Sequence, residues 1–271
     1  MSKAFVDTTI IANRLLKPGA QQDEAKAALD RYSETILPVF AIKEFRGGAF
    51  RYYIWAHNKL VEKGNIPDFL IAVNAMWRQP YLKSTSLEAF AAGWRQIPLE
   101  KISEWAEKYG DSANLETVQV DNLRLQLRSL IYRAWKLRRE ITSNVVDELP
   151  CFRETGPEES RGMISFENKV KSCGPEPDCA IAKLLKSQPD ELEIVFEANK
   201  ELPDSAEQNR RHKGLRYLNR TPSRQFPEDY CRNLGDAVFA LTAPSDSVIL
   251  TTNAGDHTAL AGSLGKDVEE P

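Results

Sequence analysis

The chemistry this sequence offers lies in four carboxylates near its two ends. Asp7 closes a short apolar run, Lys3-Ala4-Phe5-Val6, and Glu44 follows Val39, Phe40 and Ile42. Asp236 follows Asn233-Leu234-Gly235, and Asp256 follows Thr252-Asn253-Ala254-Gly255. Carboxylates gathered in one cleft repel one another unless a divalent cation neutralises them. Carboxylate and water oxygens suit hard ions such as Mg2+ or Mn2+. One or two of these can activate a water for in-line attack on a phosphodiester. Taken singly, each acid also has a plainer role. Asp7 caps a helix, Glu44 is an exposed helix residue, Asp236 is a favoured charge at a helix N-terminus, and Asp256 is a turn residue.

The elements around these acids alternate in type. Lys3 to Asp7 reads as a short buried strand, with a helix through Ile10 to Leu16 that Lys17-Pro18-Gly19 stops. Asp23 to Tyr32 resumes helical spacing, and Thr35-Ile36-Leu37 is a second strand. Pro38 then suits the first turn of a helix carrying Glu44, because that turn leaves its amide hydrogens unpaired. Near the other end, Asn233 to Asp236 opens an apolar helix through Leu241. Ser247 to Thr251 is a buried strand, and Thr252 to Asp256 is the loop after it. This alternation predicts an α/β fold with a central parallel sheet flanked by helices, whose ligands gather beyond the carboxyl ends of the strands. Asp7 and Asp256 both fall there.

The middle reads differently. From about residue 60 to 227 the spacing is mostly helical, with a Pro, Gly and Glu-rich interruption from Glu154 to Gly174 and a segment, Leu192 to Phe196, that could add a strand. The expected organisation is therefore a discontinuous domain, 1–59 with 228–271, and a mostly helical insertion over 60–227. In the insertion's best-patterned stretch, Leu123, Leu127, Leu130, Ala134, Leu137 and Ile141 form one stripe, and Arg124, Arg128, Lys136 and Arg139 another.

In order and context, Phe5-Val6-Asp7-Thr8, Ile42-Lys43-Glu44-Phe45, Gly235-Asp236-Ala237-Val238 and Thr251-Thr252-Asn253-Ala254-Gly255-Asp256-His257 resemble the PIN nuclease family. The resemblance covers about the first 50 and last 40 residues, and the closing Thr-Thr-Asn and Asp-His is its most specific part. It implies that Asp7, Glu44, Asp236 and Asp256 bind Mg2+ or Mn2+, and that Asn253 and Thr252 help hold the metal site and the scissile phosphate. It further implies an endoribonuclease leaving 5'-phosphate and 3'-hydroxyl ends, in a toxin, antiviral or RNA-processing role. The implied partners are RNA, a cognate antitoxin or other regulatory protein, and a second copy of the chain, with no membrane. His257 is read as packing or capping the final helix. Asp178, which leads Cys179-Ala180-Ile181-Ala182, offers a competing register but lacks the closing Thr-Thr-Asn loop. Two departures stand out: the long middle, and the few residues after Gly262, which leave little room for the family's usual last strand.

A formal net charge of -3 over 271 residues argues against coating nucleic acid through overall charge, so a phosphate-binding surface must be local. Its suppliers would be Arg124, Arg128 and Arg139, or the run Arg210, Arg211, Lys213, Arg216, Arg220 and Arg224. The plainer reading of either cluster is a solvated helix face. Arg46, Arg51, Tyr52, Tyr53 and Trp55 could stack on unpaired bases, although aromatics at this spacing more often form core. No apolar run approaches the roughly 20 residues of a membrane span and no signal peptide opens the chain, so a cytoplasmic protein is expected. Cys151, Cys173, Cys179 and Cys231 are spaced too unevenly for a zinc site and are expected as reduced thiols. A phosphohydrolase with Asp7 as nucleophile would want a second aspartate where Thr9 stands. A non-catalytic PIN-like module that binds RNA or protein is the main alternative.

Overall fold

The computed structural model describes residues 2–76, 78, 80–110, 113–146, 155–166, 179–220, 231 and 233–271. Its centre is a five-stranded sheet in which every pair is parallel: β1 (Lys3–Val6), β2 (Glu34–Pro38), β3 (Asn144–Val146), β4 (Ser247–Leu250) and β5 (Val268–Glu269), in the order β3-β2-β1-β4-β5. Ala4, Phe5, Val6, Leu37, Ile249 and Leu250 are buried, the near-continuous apolar pattern of strands covered on both faces. Because β1 pairs with β2 on one side and β4 on the other, the chain direction across the sheet reverses at β1. The crevice beyond its carboxyl end is therefore the natural binding position.

Helices connect the strands. Between β1 and β2 run α1 (Thr8–Leu16) and α2 (Ala20–Leu29). After β2 come α3 (Val39–Gly47) and α4 (Ala49–Lys63), followed by α5 (Ile66–Asn74), α6 (Pro80–Arg95), α7 (Leu99–Tyr109) and α8 (Ala113–Leu137). Pro38 ends β2 and caps α3, so strand and helix meet at one residue, just before the first turn where the sequence places that proline. The Tyr53 hydroxyl of α4 donates to the Leu16 carbonyl at 2.6 Å, satisfying an end of α1. Tyr53 is buried and Trp55 packs its ring 6.3 Å from that of Phe69. These aromatics are thus core, not a stacking surface.

The central stretch is more than an appendage. β3 comes from it and forms an edge of the sheet, α8 packs on α1, and one apolar core runs through both parts. Part of the Pro, Gly and Glu-rich stretch is an antiparallel hairpin, β6 (Pro157–Ser160) and β7 (Met163–Phe166), turned by Arg161 and Gly162 at φ of 52° and 75°. Asn58 of α4 pins it, donating to the Ile164 carbonyl and accepting from its amide, both at 2.8 Å. Further on lie α9 (Ala180–Lys186), α10 (Pro189–Glu201) and α11 (Ala206–Arg220).

Two sequence expectations are corrected here. Leu192 to Phe196 is helix, inside α10, because Pro189 in the first turn with Asp190 and Glu191 starts a helix there. Leu192, Val195 and Asn199 then bury one face at three- and four-residue spacing. The residues after Gly262 also have room for a strand: after α13 (Ala254–Gly262), Gly265 at φ 69° turns the chain back and β5 pairs with β4 through Ile249–Val268 and Leu250–Glu269. A two-residue strand needs little chain. No helix among the described residues is long and apolar enough to cross a membrane.

Candidate active site

Strand register brings the two ends of the sequence together. Val6 pairs with Leu250, and the Asp7 amide continues the ladder to the Leu250 carbonyl at 3.0 Å, so Asp7 and Thr251 emerge side by side from β1 and β4. Asp7 is buried and caps α1. Its Oδ1 accepts from the Thr8 amide at 2.6 Å, and its Oδ2 accepts from the Thr9 and Thr251 hydroxyls, each at 2.7 Å. The hydroxyls are held in turn. Thr252 donates its amide to Thr9 at 3.1 Å, and Asn253 donates its amide to Thr251 at 3.0 Å. Thr252 and Asn253 have exposed side chains, and here they act through the backbone.

Glu44 reaches the same place from α3. Its Oε2 accepts from the Thr8 hydroxyl at 2.9 Å, and its Oε1 lies against Gly235, where an added Cβ would stand only 2.6 Å away. Burial raises the proton affinity of Glu44 first, and the negative charges of Asp7 and Asp236 raise it further. The Thr8 hydrogen bond opposes them, and the carboxyl is pushed up to about 8.

Asp236 sits in the first turn of α12 (Gly235–Thr242), where a negative charge suits the helix end. Its Oδ2 is ion-paired with the Arg211 guanidinium of α11, and its Oδ1 lies 3.4 Å from His257 Nε2. His257, buried on α13, also stands 4.0 Å from Asp7 Oδ2, with its ring edge-on to Phe239. A cleft of about 250 Å³ opens here, lined by Glu44, Glu207, Arg210, Arg211, Asn233, Gly235 and Asp236.

Three of the four acids, Asp7, Glu44 and Asp236, thus converge. Asp256 lies in the first turn of α13 and not in a loop, because the helix begins at Ala254; its side chain is outside the described residues. Asp178, Cys151, Cys173 and Arg224 also lie outside them. Cys179 and Cys231 are free thiols. Among the described residues, no group of three or more His, Cys, Asp or Glu side chains stands ready to hold a metal ion. What the described residues do show is three carboxylates near one another, with the proton affinity of Glu44 raised first by burial and then by the negative charges of Asp7 and Asp236.

Of the basic residues singled out, Arg211 is buried in the acid cluster, and Arg210 lines the cleft. Lys213 and Arg216 are exposed on α11. Arg124 pairs with Asp121 at 3.1 Å, Arg128 with Glu159 at 2.5 Å, and Arg139 lies exposed just past α8. Sequence reasoning did not find Thr8, Thr9, Thr251 or Asn199 as parts of the site; it read His257 as packing or capping the final helix, and the ring does pack on Phe239 while also lying beside Asp7 and Asp236. The available signals were two hydroxyls directly after an acid, and an imidazole beside another. The chain matches no family model, no curated protein and no solved structure.

Proposed function

We propose that this chain is a metal-dependent endoribonuclease with a PIN-like fold, hydrolysing RNA phosphodiester bonds at Asp7, Glu44 and Asp236. The observation that carries the reading is the meeting of these three carboxylates, from both ends of the chain, at the point of the parallel sheet where ligands bind. RNA as substrate and Asp256 as a fourth ligand follow from the sequence resemblance. A bound Mg2+ or Mn2+ would supply Lewis acidity toward water and phosphate oxygens. Asp7 and Glu44 would hold it with Asp236. Thr9 and Thr251 keep the Asp7 carboxylate oriented, and Thr8 does the same for Glu44. Arg210, at the cleft wall, would take a flanking phosphate.

The test is incubation of the purified chain with cellular RNA and Mn2+ or Mg2+, followed by sequencing of new 5'-phosphate ends. Cleavage is expected to stop with EDTA and in Asp7→Asn and Asp236→Asn. Cleavage that persists in both variants would remove the site assignment. The engagement of both Asp236 oxygens by Arg211 and His257 favours a second reading, a non-catalytic RNA-binding module. That module would bind RNA with no Mn2+ uptake and no cleavage.

A further inference from the structure

Arg211, on α11, is the least exposed long cation among the described residues, 1% exposed and reaching from its helix to α10 and the acid cluster. One arm, Nη1, donates to Asn199 Oδ1 at 3.2 Å, and Asn199 is itself fully buried on α10. The other arm, Nη2, donates to Asp236 Oδ2. A guanidinium cannot shed its proton to lessen the cost of burial, so it needs a counter-ion at every pH, and Asp236 serves. The middle of the sequence therefore delivers a permanent positive charge into a cluster of acids that come from the two ends.

We propose that Arg211 competes with the divalent cation for Asp236, so that α11 sets how tightly the site loads with metal. This rests on the metal-dependent reading above. A divalent ion approaching Asp236 meets a fixed charge of its own sign bonded to one carboxylate oxygen, with His257 beside the other. Asp7 and Glu44 accept from hydroxyls and an amide, with His257 4.0 Å from Asp7 and the Lys43 charge acting on Glu44 through space, whereas Asp236 is bonded directly to a guanidinium. The ion is thus held chiefly by Asp7 and Glu44. It gains Asp236 as a full ligand only when the guanidinium yields. Arg211 is a positioning residue in this scheme: it acts on the reacting atoms through Asp236.

The experiment is Mn2+ binding to the full chain by isothermal titration calorimetry, with thermal melting with and without Mn2+ as a second readout. Arg211→Met and Arg211→Gln are expected to bind Mn2+ about tenfold more tightly than wild type, the scale of a single removed like charge near a partly screened site. Arg211→Gln keeps hydrogen-bond donors for Asp236 and Asn199, which guards against a folding failure in the Met variant. Arg211→Lys keeps the charge and should bind as wild type does. In an Asp236→Asn background, Arg211→Gln should change nothing. Unchanged or weaker Mn2+ binding in the neutral variants, or equal tightening in Arg211→Lys, overturns the proposal while leaving the metal reading intact. Absence of Mn2+ binding by wild type that Asp7→Asn can abolish overturns the metal reading itself, and this inference with it.

Discussion

At the scale of single residues, Glu44 is where the structure departs furthest from ordinary solution chemistry. Its carboxyl is pushed from an ordinary 4.5 up to about 8, first by burial and then by Asp7 and Asp236. Above about pH 4.5 the unfolded chain has released a proton that the folded chain keeps. The contribution of Glu44 to stability is therefore intact below that pH and is lost as pH rises through about 8. Thermal melts of the metal-free protein should show wild type losing stability across this window more steeply than Glu44→Gln, which cannot ionise. Added Mn2+ should restore much of the loss in wild type and little in the variant. Parallel pH profiles for the two proteins would show that Glu44 does not carry the raised affinity.

At the scale of elements, the site depends on how closely α12 approaches α3. The first residue of α12 is Gly235, and its missing side chain is what lets Glu44 Oε1 lie against the helix start. Gly235→Ala would place a methyl 2.6 Å from that oxygen, and the carboxylate, being the end of a flexible side chain, must swing away. Helix propensity favours alanine by roughly 1 kcal/mol, which offsets part of the crowding. Stability is thus expected to stay within about 1 kcal/mol of wild type, while Mn2+ affinity falls because Glu44 is displaced. Calorimetric titration beside a denaturant melt measures both quantities, and unchanged affinity would mean that Glu44 is no ligand. α10 carries the complementary lesson. Leu192 to Phe196 is apolar enough to pass for a strand, but Pro189 and two acids before it begin a helix, and the helix buries Asn199 beside Arg211.

At the scale of the whole molecule, a net charge of -3 would leave the proposed RNA binding to local cations, and the fold sorts the two basic clusters. Arg124 and Arg128 on α8 pair with Asp121 and Glu159, whereas Arg210, Lys213 and Arg216 lie on the helix that borders the cleft. Replacing Arg210, Lys213 and Arg216 by Gln should weaken RNA binding and flatten its salt dependence by about 0.7 log-log units per lost phosphate contact on single strands. Replacing Arg124 and Arg128 should leave the slope near wild type. RNA affinity measured at several salt concentrations decides between the clusters, and a slope change confined to the α8 variant would move the RNA path to that helix.

The sequence by itself determined what short-range pattern encodes: strands read at Lys3 to Asp7, Thr35 to Leu37 and Ser247 to Thr251, which form as Lys3–Val6, Glu34–Pro38 and Ser247–Leu250, the helices after them, and the placing of Asp7 and Asp236 at element ends. These follow from apolar runs, proline and acids whose effects reach only a turn or two. Tertiary structure decided the rest. Asn144–Val146 is too short to announce itself, and becomes a strand only because the β2 edge offers unpaired backbone groups. Val268–Glu269 pairs with β4 for the same reason. The partners of the acids were equally hidden. Thr251 meets Asp7 across 244 positions and Arg211 meets Asp236 across 25, distances that no local periodicity spans. Arg211 in particular stands in a run of exposed cations, Arg210, Lys213 and Arg216. It is buried only because one face of α11 turns toward α10 and the acid cluster, where a permanent charge must find a carboxylate.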